Sequence, residues 1–363
     1  MPREPGSTRI CLLGPPIEHR ESILTAVRTF ASEVTWLPDL GTYLRSHGKR
    51  RSGARRFIDM THGIGNTSYL DLLKSEIERV KPSLVIAYWG TLPLSEIRTL
   101  RCSYPDIKIA LVMLCYPLGL STGEILRQHL ALRSVTRFID AIVCPTNDMV
   151  VYLQQRVLGK NPPHLHVVQP CWPKGMLASE RPLPAMEAPN LIFAGRTDMQ
   201  SKNFQKGDDV RASLQEILDA GLHLYHASSS TAFAPHPKRH AFTPLGVTGL
   251  INGMAAYDAS LIMYNLDACR RRERFDLTVP DRLISSVAAG VPIAISREGY
   301  SASKSYLRRY GAMIEFSDWN DLYRKLADRG RVRAAKQQAW ENRLYYTAEN
   351  SGAEYEALAG TIL

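Results

Sequence analysis

Short apolar runs, each closed by a turn signal and followed by a helical pattern, recur along nearly the whole chain, and this alternation restricts the fold more than any other feature. The runs Thr8-Arg-Ile-Cys-Leu-Leu-Gly14, residues 34–37, Leu84-Val-Ile-Ala87, residues 107–114, Ala141-Ile-Val-Cys144 and Leu165-His-Val-Val168 read as strands. Residues 57–60 add a short strand candidate. Residues 21–30 and 69–80 read as helices, residues 135–143 pass through a helix into a strand, and Thr146 or Asn147 caps a helix to residue 157. This alternation of strand and helix fits a parallel sheet with helices on both faces.

Pro170, Pro173, Pro182, Pro184 and Pro189 crowd the next segment, which reads as a linker. A second alternation follows, beginning with Leu191-Ile-Phe-Ala-Gly195 and a helix over 208–220. It continues through strands at 222–225, 259–263, 293–295 and 312–316. Residues 228–240 read as a loop, and the tail beyond about residue 332 reads as helix without a strand. The expected organisation is an α/β domain over 1–170, a linker over 171–189, a second α/β domain over 190–335 and a terminal helix over 336–363.

With 363 residues and 45% apolar content, two domains of ordinary size can each bury a core. The six cysteines form no C-x-x-C pair, and Cys11, Cys115 and Cys144 lie in apolar runs, which suits free thiols in a reducing compartment. The start lacks a signal-peptide pattern. The longest apolar segment, 109–120, is broken by Pro117 and is shorter than the ~20 residues a membrane span needs. These features predict a cytoplasmic protein. Lys plus Arg exceeds Asp plus Glu by 45 to 35, a balance that permits an anionic partner such as a nucleotide, a lipid phosphate or nucleic acid without choosing among them.

The stretch Thr278-Val-Pro-Asp-Arg-Leu-Ile-Ser-Ser-Val-Ala-Ala-Gly-Val-Pro292 shows where an anion could bind. Pro280 opens a helix, Asp281 suits its positive end, and Gly290 with Pro292 ends it. Arg282 then lies in the first helical turn, where backbone N–H groups and a guanidinium can hold a phosphate. Gly195-Arg196 closes the first strand of the same half, and Lys202, Lys206 and Gly207 precede its first helix. In a parallel sheet these positions share the carboxyl edge. Converging cations there would stabilise a departing diphosphate.

Taken in order, Phe193-Ala-Gly-Arg196, Lys206-Gly207, Pro280-Asp-Arg-Leu283 and Ala288-Ala-Gly-Val-Pro292 resemble the C-terminal domain of a GT-B glycosyltransferase of the family-4 type. The likeness spans roughly residues 190–300. It implies two Rossmann-like, doubly wound domains facing across a cleft, with a C-terminal helix returning to the N-terminal domain. It implies hexosyl transfer from a nucleotide-diphosphate sugar, a UDP-sugar being one candidate, to an acceptor hydroxyl. The donor acts as co-substrate, and neither a metal nor another cofactor is implied. By the resemblance Arg196 and Lys206 would stabilise the leaving diphosphate. Lys202, Gly195, Gly207, Pro280, Asp281, Arg282 and Leu283 would line the donor site, and Gly246 with Val247 would lie near the nucleotide base. Gly14 matches the N-domain glycine turn that approaches donor and acceptor.

Three departures from the family pattern stand out. Ser285 replaces a glutamate that typically binds the donor ribose. The loop between Arg196 and Lys206 is longer, so Lys202 competes for the lysine role. Leu114-Cys-Tyr-Pro117 lacks the family's histidine, which leaves the stereochemical outcome open. An inverting enzyme would need a base in the N-terminal half. Asp59, Glu124 and His62 are candidates, with His62, beside Gly63 and Gly65, preferred. Residues 45–56 carry six positive charges and no acid, which suits an anionic acceptor or the inner membrane face. The acceptor classes are lipid-linked, glycan or small-molecule. A DNA acceptor ranks lower, because base modification in a duplex needs a pocket for an extruded base and no aromatic residues interleave this loop. A nucleotide-sugar epimerase of the same fold and a catalytically decayed sugar-nucleotide-binding protein are the rival readings.

Overall fold

The computed structural model describes residues 8–49, 58–59, 64–180, 188–195, 206–227, 235–243, 246–269 and 271–363. The chain forms two compact units, Met1–Pro170 with Ala348–Leu363, and Cys171–Thr347.

The first unit runs β1 (Arg9–Leu13), α1 (His19–Val27), β2 (Glu33–Leu37), α2 (Leu40–Ser46), α3 (Thr67–Val80), β3 (Leu84–Tyr88) and α4 (Leu94–Ser103). It continues through β4 (Lys108–Val112), α5 (Thr122–Val135), β5 (Ala141–Cys144), α6 (Asn147–Arg156) and β6 (His164–Val167). The strands form one parallel sheet in the order β2-β1-β3-β4-β5-β6. Side chains two apart share a face of a strand. Ile10 and Leu12, Leu84 and Ile86, Ala110 and Val112, and Ala141 and Val143 therefore build one side of the core, against Ile23, Ala26 and Val27. Side-chain caps set several helix starts: Asn66 Oδ1 accepts from Tyr69 N at 2.9 Å, and Ser121 with Glu124 forms a reciprocal capping box.

The second unit runs β7 (Asn190–Phe193), a 3₁₀ turn (Lys206–Asp208), α7 (Arg211–Asp219), β8 (His223–Ala227), β9 (Arg239–Phe242), α8 (Gly246–Met254) and β10 (Ala259–Ile262). Then come α9 (Glu273–Leu277), α10 (Asp281–Ala289), β11 (Ile293–Ser296), α11 (Ser301–Tyr306), β12 (Met313–Phe316), α12 (Trp319–Ala327) and α13 (Arg329–Asn342). Its sheet is also parallel, in the order β12-β11-β10-β7-β8-β9. One face buries Ile192, Ile262, Ile293 and Ile295 against α8 and α10. The other buries Leu191, Phe193, Leu261, Ala294 and Ile314 against α7 and α12. At the amino edge Asp258, fully buried, accepts from Asn190 N and Nδ2 and from Arg329 Nη2 at 2.9–3.2 Å, which ties α13 to the sheet. The chain ends in α14 (Gly352–Ile362), which belongs to the first unit and places Tyr355, Leu358 and Ala359 in its core.

Several local readings differ from the sequence-based expectation. Within the expected linker, residues 171–180 pack in the second unit: Cys171, Trp172, Leu177 and Ala178 are buried there, and Trp172 bridges to Thr347. The tail is two helices rather than one, and α13 stays with the second unit. Ile58 and Asp59 have helical backbone instead of strand. Part of the expected loop 228–240 contributes to β9, which among the described strands lies at the sheet edge and pairs with β8. Arg45 and Ser46 end α2, and the rest of the basic segment beyond Lys49, residues 50–56, lies outside the described residues.

Candidate functional site

In a parallel α/β sheet the crevice for a ligand opens at the carboxyl edge where successive connections leave in opposite directions. In the second unit that point lies between β7 and β10, because the chain goes first to β8 on one side and later to β10 on the other. Gly195 follows β7 here, Met263 and Tyr264 follow β10, and Arg282 stands in the first turn of α10. Their spacing is tight: a Cβ added at Gly195 would collide with the Phe193 ring and with Arg282 Nη1. Only glycine lets the guanidinium lie against this turn.

Arg282 is held in place. Its Nη1 donates to Met263 O at 3.1 Å. Its Cζ lies 4.3 Å from the Tyr264 ring centroid and 5.3 Å from that of Phe193. Among the described residues it has no carboxylate partner, and that carbonyl is its one hydrogen bond. A guanidinium carries five donors, so among the described residues most of its capacity is uncommitted. Asp281, its neighbour, is exposed at the helix start. Pro280 is buried with extended backbone at the N-cap, and Gly290 ends the helix in the left-handed region at φ 67°. Leu283 faces the core.

Lys206 and Gly207 adjoin the same edge. Asn265 N donates to Gly207 O at 2.9 Å, and Asn265 Nδ2 donates to Asp209 O at 2.8 Å. A Cβ at Gly207 would approach the Phe275 ring to 2.5 Å, and Phe275 in turn lies 4.4 Å from Tyr264. Lys206 itself is exposed. Phe193 on one side of Arg282, and Tyr264 with Phe275 on the other, thus connect Gly195, Arg282 and the Lys206-Gly207 turn. Arg196 and Lys202 lie outside the described residues, as does His62.

Other positions have different surroundings. Gly246 takes φ +70° at the start of α8, with no described atom outside its chain neighbours within 4 Å of where a Cβ would sit, and Val247 packs on the core. Ser285 is 3% exposed, and its Oγ accepts from Trp172 Nε1 at 3.1 Å. Where the family pattern has a carboxylate, this chain therefore has a buried hydroxyl bonded within the unit.

The first unit has its own switch point, between β1 and β3. Gly14 sits there with the Tyr88 ring 2.8 Å from where its Cβ would be. Trp36 Nε1 donates to Gly14 O at 3.1 Å and to Tyr88 Oη at 3.0 Å, and Tyr88 Oη donates to Pro15 O at 2.7 Å. Burial pushes the Tyr88 phenol well above its ordinary pKa, so it stays a donor. Trp89 and Gly90 then take consecutive left-handed conformations, φ 78° and 62°, and the His19 ring stacks 6.0 Å from Trp89. A bulky non-glycine residue held there is strained, and such strain concentrates at binding sites. Of the candidate bases, Glu124 accepts from Ser121 Oγ, Leu120 N and Ser121 N, which hold its carboxyl below the usual range and make it a helix cap. Asp59 is 2% exposed. Sequence reading missed Tyr88, Trp89, Tyr264 and Tyr300. Aromatic residues just past a strand were the available signal, and nothing in the linear order says which will meet a glycine turn.

No protein-family model matches the sequence, and no curated protein matches it significantly. Solved structures do match its fold. Sucrose-phosphate synthase from Thermosynechococcus elongatus gives a TM-score of 0.68 at 12% identity, covering 98% of this chain and 99% of that one. The E. coli trehalose-6-phosphate structure bound with UDP-2-fluoro glucose gives 0.63 at 10% identity, covering 98% and 100%. HepE from Anabaena, in complex with UDP and glucose, gives 0.60 at 10% identity over the same shares. The chain accordingly has the GT-B fold, an α/β architecture of two units each built on a six-stranded parallel sheet.

Proposed function

We propose that this protein is a glycosyltransferase of the family-4 type, transferring a sugar from a nucleotide-diphosphate donor to an acceptor hydroxyl. The observation that carries the reading is Arg282: a part-buried guanidinium at the switch point, fixed by two rings and one carbonyl, with no carboxylate partner among the described residues. Such a cation suits a ligand that brings its own negative charge. A diphosphate fits, since the N-terminus of α10 adds backbone donors and a favourable dipole. Arg196, directly after Gly195, and Lys206 supply further charge to the leaving group. This positive charge performs the role a divalent metal plays elsewhere, so the reading invokes none. A UDP-sugar is the first donor to test, because two structures of the same fold are described with UDP ligands. The acceptor belongs to the carboxyl edge of the first unit, beside Gly14, His19 and Trp89.

Thermal shift against UDP, GDP, ADP and TDP and their glucose conjugates tests this. A ligand that binds only the folded state raises Tm by mass action. At least one should do so, and Arg282→Ala should weaken it by about tenfold or more, the scale of one charge-assisted hydrogen-bonding group. Slow donor hydrolysis without acceptor should disappear in the same variant. The reading fails if no nucleotide in the panel binds.

A further inference from the structure

Arg282 makes its single described hydrogen bond to a main-chain carbonyl, so something other than an acid has to hold its long side chain. Four flexible torsions would otherwise blur its position, and immobilising such a side chain on binding costs about 0.5–1.5 kcal/mol. The neighbouring residues show how it is held. Tyr264, just past β10, lays its ring 4.3 Å from the guanidinium carbon. The backbone of Tyr264 is clamped in turn: its N–H donates to Tyr300 Oη at 2.9 Å, and that hydroxyl donates back to Tyr264 O at 3.5 Å. Tyr300 is buried and takes the left-handed conformation, φ 59°, at the N-cap of α11. Its N–H donates to Asp276 Oδ1 at 2.9 Å, and Ser301 Oγ donates to Asp276 O at 2.8 Å. The chain accepts a strained residue at position 300, and what that conformation achieves is a phenol aimed at the main chain of residue 264. Phe275 closes the arrangement, touching Tyr264 on one side and the Gly207 turn on the other.

We infer that Tyr264, clamped by the Tyr300 hydroxyl, is a positioning residue that fixes the Arg282 guanidinium for the donor diphosphate and couples it to the Lys206-Gly207 turn through Phe275. The inference rests on the donor reading above. Tyr264 contributes in two ways: its ring face attracts the cation, and its backbone fixes where the ring stands. Neither needs contact with the base or sugar of the donor. The loss on removing it must therefore fall on the diphosphate.

Calorimetry with the tightest of UDP, GDP, ADP and TDP, and with its parent nucleoside, separates the outcomes. Tyr264→Leu should raise the Kd of the diphosphate about tenfold, within the range of a desolvated cation–π contact, and leave the nucleoside Kd within twofold. Tyr264→Phe, which keeps the ring, should restore the wild-type value. Tyr300→Phe removes one hydroxyl and should weaken the diphosphate by about threefold to fivefold, the scale of one net hydrogen bond. It serves as the second variant if Tyr264→Leu folds poorly. Equal loss of diphosphate and nucleoside would mean a merely structural role and overturn the inference. So would an unchanged diphosphate Kd in Tyr264→Leu when Arg282→Ala has lost binding, and the donor reading would then stand. An Arg282→Ala variant that binds as tightly as wild type would overturn both.

Discussion

Gly195 shows how much one missing Cβ decides. Alanine there would be driven into the Phe193 ring and Arg282 Nη1. Neither can retreat freely, since Phe193 is 1% exposed and Arg282 is tied to Met263. Overpacking of this kind typically costs about 1–3 kcal/mol. Gly195→Ala should therefore lower the urea midpoint and weaken nucleoside diphosphate binding together, and equilibrium denaturation with calorimetry will show whether both move. If stability falls and affinity does not, Arg282 has been misplaced as the anion contact. At this scale the sequence was informative in an uneven way. The glycines and Arg282 could be singled out from spacing alone. Tyr264 and Tyr300 could not, because a pair 36 positions apart meets only after the crossover from β10 to β11 has folded.

At the level of elements, α10 was the most legible: Pro280 precedes it, Gly290 at φ 67° ends it, and all residues from Leu283 to Ala289 are buried. Helices with a blurred pattern escaped. On α5 only Ile125, Leu132 and Val135 are buried, while Leu126 and Leu130 are more than half exposed, so the apolar positions do not trace one stripe. β9 escaped because an edge strand of half-exposed Arg, His, Ala and Phe carries little periodicity. The last element carries a prediction. Deleting residues 352–363 removes Tyr355, Leu358 and Ala359 from the core of the first unit and uncovers α1. Losing one large buried side chain costs roughly 2–5 kcal/mol. Calorimetry of the truncated chain should show the first unit melting earlier or already unfolded, with the second unit's transition near its original temperature. A uniform downward shift of both would contradict the assignment of α14 to the first unit alone.

For the whole molecule, acid is the expected weakness. Burial holds His166 in the first unit and His223 in the second below the ordinary histidine pKa, and His240 and Lys238 press His223 further down. Above about pH 6.5 these groups are neutral in folded and unfolded chains alike, and pH has no leverage through them. Below it the unfolded chain takes up protons first, so stability falls as pH falls. Urea midpoints should thus drop between pH 7.5 and 5.5, and the double variant His166→Asn, His223→Asn should flatten that slope. An unchanged slope would show that other groups govern it. The same scale divides what was readable beforehand from what was not. Alternating apolar runs, helix stops and the order of four short motifs determined two parallel-sheet units of GT-B type and placed the anion candidates on one sheet edge, because periodicity and turn chemistry act over neighbouring residues. Only the tertiary structure decided that Ser285 bonds Trp172, that residues 171–180 join a core, and that Arg282 is gripped between rings, because each depends on which distant segments the strand order brings side by side.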